Sequence, residues 1–250
     1  MSVMANTDLL TRPPGMPIRL VCLDLAGTTV ADGGSVLDAF TAALTEAGLE
    51  VGSPAFAAAH DYAIATMGQS KITVFRHIVA SHAERPGDDS LAVRANKAFE
   101  EAYAEGLRNG GATPIPGARE TIEHLRSAGL LVALTTGFSA DTRDALLSAL
   151  GWTELCDLVL SPSDAGRGRP FPDLLLTAGL RLQVDDVAAV AAVGDTSNDL
   201  LAGSRAGAGL VIGVRTGAHD DDDFAAVPHT HVIDSVAQLP PLVLPQGDSA

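Results

Sequence analysis

The chain has 250 residues, 46% of them hydrophobic and only 4% aromatic, and carries a formal net charge of −15. That length supports one large domain or a core with a smaller module, and the apolar share is enough for a sizeable buried core. The negative charge argues against non-specific binding to nucleic acid or to an anionic membrane surface, while a few local cations would suffice for an anionic small-molecule substrate.

Residues 1–16 lack the basic start and apolar middle of a signal peptide and read as a flexible extension. The first strand signal is "RLVCLDL" (19–25), an apolar run that ends in Asp24 and is followed by Ala26, Gly27 and Thr28. From about Asp32 to about Gly110 there is little strand signal, and helices are predicted around Ser35–Ala47, Pro54–Met67, Ser70–Ser81 and Ser90–Leu107. This is a helical insert placed after the first strand, and "GGATPIPGA" marks the return from it.

Strands and helices then alternate. "LLVALTT" (130–136), "DLVLS" (157–161), "VAAVAAVGD" (187–195) and "GLVIGV" (209–214) read as strands, with "GARETIEHLRSAG", "ADTRDALLSALG", "DLLLTAGLRL" and "DLLAGSRAG" as the intervening helices. The strands are continuous apolar runs, as expected when both faces of a sheet are covered. The alternation predicts an α/β fold with a parallel sheet and helices on both faces. The predicted organisation is a core over 17–31 and 111–240, a helical cap over 32–110 and a tail over 241–250. In such sheets ligands bind at the carboxyl ends of the strands. Three strands end there in reactive residues, Asp24, Thr136 and Asp195, and the insert emerges beside the first, so a site roofed by the helical cap is expected.

Other features read as structural. "HDDDDF" (219–224), with His229 and His231 nearby, reads as a solvated helix start rather than a metal site, because acidic residues favour helix N-termini. "AGSRAGAG" lies between a helix and a strand, the wrong order for a dinucleotide-binding turn. Glu123, His124 and Arg126 read as an exposed helix face, and Arg76 and Arg85 lie on or near the insert's helices. The chain has two cysteines, Cys22 and Cys156, without a pairing pattern, and Cys22 reads as buried filler. A reducing compartment fits, and no apolar run approaches the ~20 residues that span a bilayer. A cytoplasmic protein is expected.

"DLAGTTV", "LTTG", "GRGRPFP" and "VGDTSND" occur in that order. Together they resemble the four motifs of the haloacid dehalogenase superfamily of phosphoryl-transfer hydrolases, over residues 18 to about 240. The resemblance implies a doubly wound, Rossmann-like core with an inserted cap. It implies that Asp24 is a nucleophile forming an aspartyl-phosphate, and that Mg2+ is held by Asp24, the Ala26 carbonyl, Asp195 and Asp199. The hard cation would offset the repulsion between a carboxylate and an anionic substrate. Thr136 and the Gly137 amide would donate to phosphoryl oxygens, Arg169 would present a cation to the same group, and Gly27 and Thr28 would lie against it.

Most phosphatases of this superfamily carry a second aspartate, a proton donor, where this chain has Ala26. The phosphonatase branch, phosphonoacetaldehyde hydrolase, is similar in having alanine there. It breaks a carbon–phosphorus bond with a cap lysine that forms a Schiff base with the substrate aldehyde. "TMGQSKITVFRHI" resembles that branch's Met-Gly-x-x-Lys motif at Met67, Gly68 and Lys71, and Lys71 is one of only two lysines in the chain. A Schiff-base lysine must be partly neutral, which an apolar cap favours. The chain departs from the branch at Val74, where the branch has a histidine, and at Phe138, which stands for a tyrosine. His77, one turn beyond Val74, is either a replacement or a helix-face histidine.

The leading expectation is a Mg2+-dependent hydrolase of a small carbonyl phosphonate, phosphonoacetaldehyde first. A phosphatase acting on a phosphate ester or acyl-phosphate, and a phosphate-binding protein without catalysis, are the alternatives. The resemblance also suggests a homodimer through the cap helices.

Overall fold

The structure is a computed structural model that describes residues 16–31, 33–83 and 87–245. The expected N-terminal extension, apart from Met16, lies outside the described residues, as do Arg85 and the end of the expected tail.

In chain order the elements are β1 (Leu20–Asp24), β2 (Val30–Ala31), α1 (Ser35–Glu46), α2 (Pro54–Ala65), α3 (Lys71–His82), α4 (Asp89–Arg108) and β3 (Thr113–Pro114). Then follow α5 (Ala118–Ser127), β4 (Leu131–Thr135), α6 (Ala140–Leu150), β5 (Leu158–Leu160), α7 (Pro162–Ala165), α8 (Asp173–Arg181) and β6 (Val190–Gly194). The chain continues through α9 (Ser197–Ala206), β7 (Leu210–Val214), α10 (Asp221–Ala225), β8 (His231–Ile233) and α11 (Pro240–Val243).

Six strands form one parallel sheet in the order β5-β4-β1-β6-β7-β8. β1 is central, and the chain goes first to one side of it and then to the other. Its carboxyl end is therefore the point where the winding reverses, the position at which such sheets form a crevice. Alternate β1 residues enter opposite layers. Leu20 and Cys22 pack with Leu174 and Ala178 of α8 and Leu200 of α9, while Val21 and Leu23 belong to the cluster that holds Ile122 and Leu125 of α5. Burial pushes the Cys22 thiol up to about 12, so it packs as an apolar side chain.

The expected strands and helices form with small shifts. The exception is the start of "VAAVAAVGD": Val187–Ala189 is a single 3-10 turn, capped by the Asp186 side chain on the Ala188 amide, and the strand begins at Val190. Three strands carried no periodic signal. β2 and β3 are two residues each, and β8 is a short, half-buried edge strand. The expected tail also begins later. Proline opens α11, and Val243 is buried in the core.

β2 and β3 pair antiparallel, Val30 with Pro114 and Ala31 with Thr113, so the insert leaves and re-enters side by side. Between them α1–α4 pack around a cluster of rings. The Phe40–Phe99, Phe40–Phe75 and Phe75–Phe99 centroids lie 4.9, 5.7 and 5.9 Å apart. Phe138, from the loop after β4, joins the same cluster, 4.8 Å from Tyr103. Four of the chain's seven phenylalanines thus meet in one place, and one of them comes from outside the insert. "HDDDDF" starts α10 as expected, with the Asp220 side chain accepting from the Asp222 and Asp223 amides.

Phe75 is fully buried among these rings. Phe75→Ala is expected to lower stability by about 3–5 kcal/mol, read as a lower urea midpoint.

Candidate active site

Asp24 ends β1 and is buried. Ladders on both sides of β1 hold its backbone, Leu23 pairing with Leu134 and with Val193. The chain then turns sharply. The Thr29 and Val30 amides both donate to the Leu25 carbonyl, and the Thr29 hydroxyl donates to the Asp24 carbonyl at 2.9 Å. Gly27 takes φ +89°, and a Cβ there would overlap the Asp195 carboxylate, so only glycine fits.

Asp195 follows β6. Its Oδ1 accepts from the Thr28 hydroxyl at 2.9 Å and its Oδ2 from the Ala218 amide at 2.9 Å. Thr28, expected against the substrate, is instead fully buried and holds this carboxylate. Asp199 sits in the first turn of α9. Its Oδ2 closes a capping box with the Thr196 amide and hydroxyl. Its Oδ1 lies 2.7 Å from Arg169 Nε.

Arg169 ties these parts together. Nη1 is 2.7 Å from Asp24 Oδ1, and Nη2 donates to the Thr135 hydroxyl at 2.6 Å. Nη1 also donates to the Gly68 carbonyl of the insert at 3.3 Å. Arg169, expected to meet the substrate's phosphoryl group, lines the cavity, and its protein contacts go to two carboxylates, a threonine and a backbone carbonyl.

Asp24, Asp195 and Asp199 each offer an oxygen within 4.8 Å of the others. Three buried carboxylates face one buried guanidinium, so negative charge is in excess. Burial pushes Asp24 well above the usual carboxylate range; Arg169 opposes this, and Asp199 and Asp195 add to it. Burial, then the charge of Asp199, pushes Asp195 up to about 6. Hard oxygen donors with uncompensated charge fit a small divalent cation.

A cavity of about 460 Å3 opens above this floor. Ala26, Gly27, Thr136, Gly137 and Phe138 line it from the core, and Met67, Gly68 and Lys71 line it from the insert. The Thr136 hydroxyl accepts from the Phe138 amide at 3.1 Å and keeps its own proton for a ligand. Ala26 leaves position 26 without an acid.

Lys71 opens α3 and is only 6% exposed, so it is turned into the protein rather than toward bulk water. Its Nζ lies 5.2, 5.8 and 5.5 Å from the ring centroids of Phe40, Phe99 and Phe138. Burial lowers its pKa to about 8, with the Asp24 charge pulling the other way. His77 does not take the place of the missing histidine. It lies on the exposed face of α3, stacked on Tyr62 at 4.1 Å, and no histidine lines the cavity. Arg76 is also on the outer face, paired with Asp89.

The insert is tied to the core beside the site by residues whose role the sequence did not disclose. The Asn198 side chain donates to the Met67 carbonyl at 2.8 Å and accepts from the Gln69 side-chain Nε2 at 3.1 Å. The Lys71 amide donates to the Gly137 carbonyl at 3.3 Å. A Cβ on Gly137 would strike the Gly68 and Gln69 carbonyls, and one on Gly68, at φ +81°, would lie 2.8 Å from Thr196 Oγ1. Asn198 is visible within "VGDTSND", but nothing local marks which carbonyl it serves.

The family model described as haloacid dehalogenase-like hydrolase matches residues 18–207. The chain belongs to that family. A curated relative of this hydrolase, "Probable phosphatase IndB" from Dickeya dadantii, is 29% identical over 221 residues, 88% of this chain and 91% of the relative. Another, "Phosphonoacetaldehyde hydrolase" from Bacteroides fragilis, is 27% identical over 248 residues, 93% of this chain and 90% of the relative. Among solved structures, a hydrolase from Pseudomonas syringae superposes with a TM-score of 0.77 at 21% identity, covering 90% of this chain and 96% of that one. That likeness is one of fold.

An amine buried among rings is costly, and its folded pKa lies below its ordinary 10.5. The cost is therefore complete at neutral pH and fades as pH rises from about 8 toward 10.5. Lys71→Met is expected to raise stability by roughly 1–3 kcal/mol near neutral pH, and by less at about pH 10, in urea unfolding at the two conditions.

Proposed function

We infer that this hydrolase cleaves the carbon–phosphorus bond of a small carbonyl phosphonate, phosphonoacetaldehyde giving acetaldehyde and phosphate. One observation carries the reading: an amine of lowered pKa, Lys71, and a buried carboxylate at the winding reversal, Asp24, line one cavity in which position 26 supplies no acid. An ordinary phosphate ester leaves as an alkoxide and needs that acid. A carbanion needs an electron sink instead.

The neutral Lys71 amine adds to the substrate carbonyl, takes up a proton from water and, with loss of water, forms a protonated imine; that proton is returned when the imine is later hydrolysed. Phe40, Phe99 and Phe138 present π-faces to that positive charge. An Asp24 oxygen attacks phosphorus, and the C–P electron pair moves into the iminium to give an enamine and an aspartyl-phosphate. The enamine takes a proton on carbon, and water returns the aldehyde and the free amine. A second water releases phosphate from Asp24. Mg2+ held by Asp24, Asp195, Asp199 and the Ala26 carbonyl would supply the charge that lets a carboxylate approach an anion. Arg169 keeps the Asp24 and Asp199 carboxylates in place, and Thr136 has a donor for a phosphoryl oxygen. The name of the Bacteroides relative supports the reading.

The name of the Dickeya relative favours a second reading, a phosphatase of an ester or acyl-phosphate with a good leaving group. Borohydride added with phosphonoacetaldehyde separates the two. A reduced adduct on Lys71, found by peptide mass, together with Mg2+-dependent phosphate release, is the expected result. No adduct, with Lys71→Ala retaining full turnover, sinks the imine.

Trapping is expected to depend on pH through the amine. Because the ammonium is inert, the rate rises about tenfold per pH unit below the Lys71 pKa and levels above about 8. A rate that still climbs past about pH 10 would place the reacting amine in water.

A further inference from the structure

The two ends of the cavity differ in chemistry. The polar side chains lining it are Lys71 and a core set, Asp24, Thr136, Arg169, Asp195, Thr196 and Thr216. Five of the core set are already engaged, Asp195 by the Thr28 hydroxyl and the Ala218 amide. Arg169 pairs with Asp24 and Asp199, the Thr196 hydroxyl donates to Asp199, and Thr216 donates to the Gly27 carbonyl at 2.6 Å. Among the described residues of the insert, Lys71 alone is polar; the rest of that described wall is Val36, Leu37, Ile64 and Met67 with glycines, and Ala31 of β2 adjoins it.

A sugar phosphate placed here would turn its hydroxyls toward a wall whose described side chains, Lys71 apart, offer no partner, which costs heavily for each one buried. A carbonyl phosphonate bearing a carboxylate would meet no spare cation, because Arg169 is paired and Lys71 is consumed by the imine. The size points the same way. At about 460 Å3 the cavity is far larger than a two-carbon phosphonate needs and falls among pockets that enclose considerably bigger ligands, roughly 300–1,000 Å3.

We propose that the substrate carries an apolar chain on its carbonyl carbon, a 2-oxoalkylphosphonate whose alkyl group lies against Val36, Leu37, Ile64 and Met67. This rests on the carbon–phosphorus reading above and specifies its substrate class. The phosphonate sits on the core floor, the carbonyl meets Lys71 between floor and roof, and the chain continues along the insert. The balance is unchanged. The ketone and Lys71 form a ketimine with loss of water, the C–P pair becomes the enamine, protonation and hydrolysis release a methyl ketone, and a further water frees phosphate.

The test has a reacting and a non-reacting arm. In the first, kcat/KM with Mg2+ is compared across 2-oxopropyl-, 2-oxopentyl- and 2-oxoheptylphosphonate. The expected gain is about fourfold per added methylene until the wall is covered. In the second, calorimetry measures butyl- and hexylphosphonate, which have no carbonyl and cannot react, and affinity should rise by a similar factor. Ile64→Asn, with Leu37→Gln as a second variant should the first misfold, is expected to flatten both trends. Affinity and rate that ignore chain length overturn the apolar subsite, while turnover of phosphonoacetaldehyde would keep the C–P reading. Affinity that rises with chain length while no carbonyl phosphonate is cleaved overturns the C–P reading and retains the subsite.

Discussion

Three carboxylates and one guanidinium buried at the carboxyl end of β1 are the constraint around which the rest is arranged. Such a group is unstable in an apolar interior unless nearly every lone pair and proton is met. The surrounding chain meets them. Thr28 and the Ala218 amide hold Asp195, the α9 capping box holds Asp199, and Thr135 and Gly68 accept from Arg169 besides its two carboxylates. The excess negative charge stays, and it suits the cluster to a cation as well as to anchoring the floor. Gly27 is required because the loop that turns away from Asp24 passes against Asp195.

The second arrangement is the seam between insert and core. Residues 67–71 lie across the core loops, fixed by Asn198 and Arg169 and admitted by glycines at 68 and 137. That seam aims Lys71. The amine enters a cage to which the insert gives Phe40 and Phe99 and the core gives Phe138. Neither part alone would lower its pKa in the same way. On the proposed reading the lysine becomes a nucleophile only when the two parts are together, which would couple the chemistry to the position of the roof. The cost in stability is of the kind that active sites commonly carry.

Much of this was legible along the chain. Continuous apolar strands broken by helices predicted the parallel sheet, and the four helices expected after the first strand form close to their expected ends. The strands that escaped, β2, β3 and β8, are too short or too exposed to show a period. The C-terminal turn of helix escaped because a proline-rich end looks like a tail until Val243 is seen in the core. In the site, motif order pointed to Asp24, Lys71, Arg169, Asp195 and Asp199. It did not disclose that Thr28 holds Asp195 or that Arg169 pairs with Asp24 and Asp199, because a hydroxyl or a guanidinium has several candidate partners and only folding selects among them.

The sequence by itself determined the strand ends and hence which carboxylates lie at the sheet's carboxyl edge, since those follow from hydrophobic periodicity and from the residue that closes each run. It also determined the absence of an acid at position 26. The tertiary structure alone decided that Lys71 faces inward, that His77 faces outward, and that the roof of the cavity is apolar. A buried lysine and an exposed histidine stand six residues apart on α3. Which face of that helix is buried depends on rings contributed by α1, α4 and the loop after β4, far apart along the chain and joined only by packing.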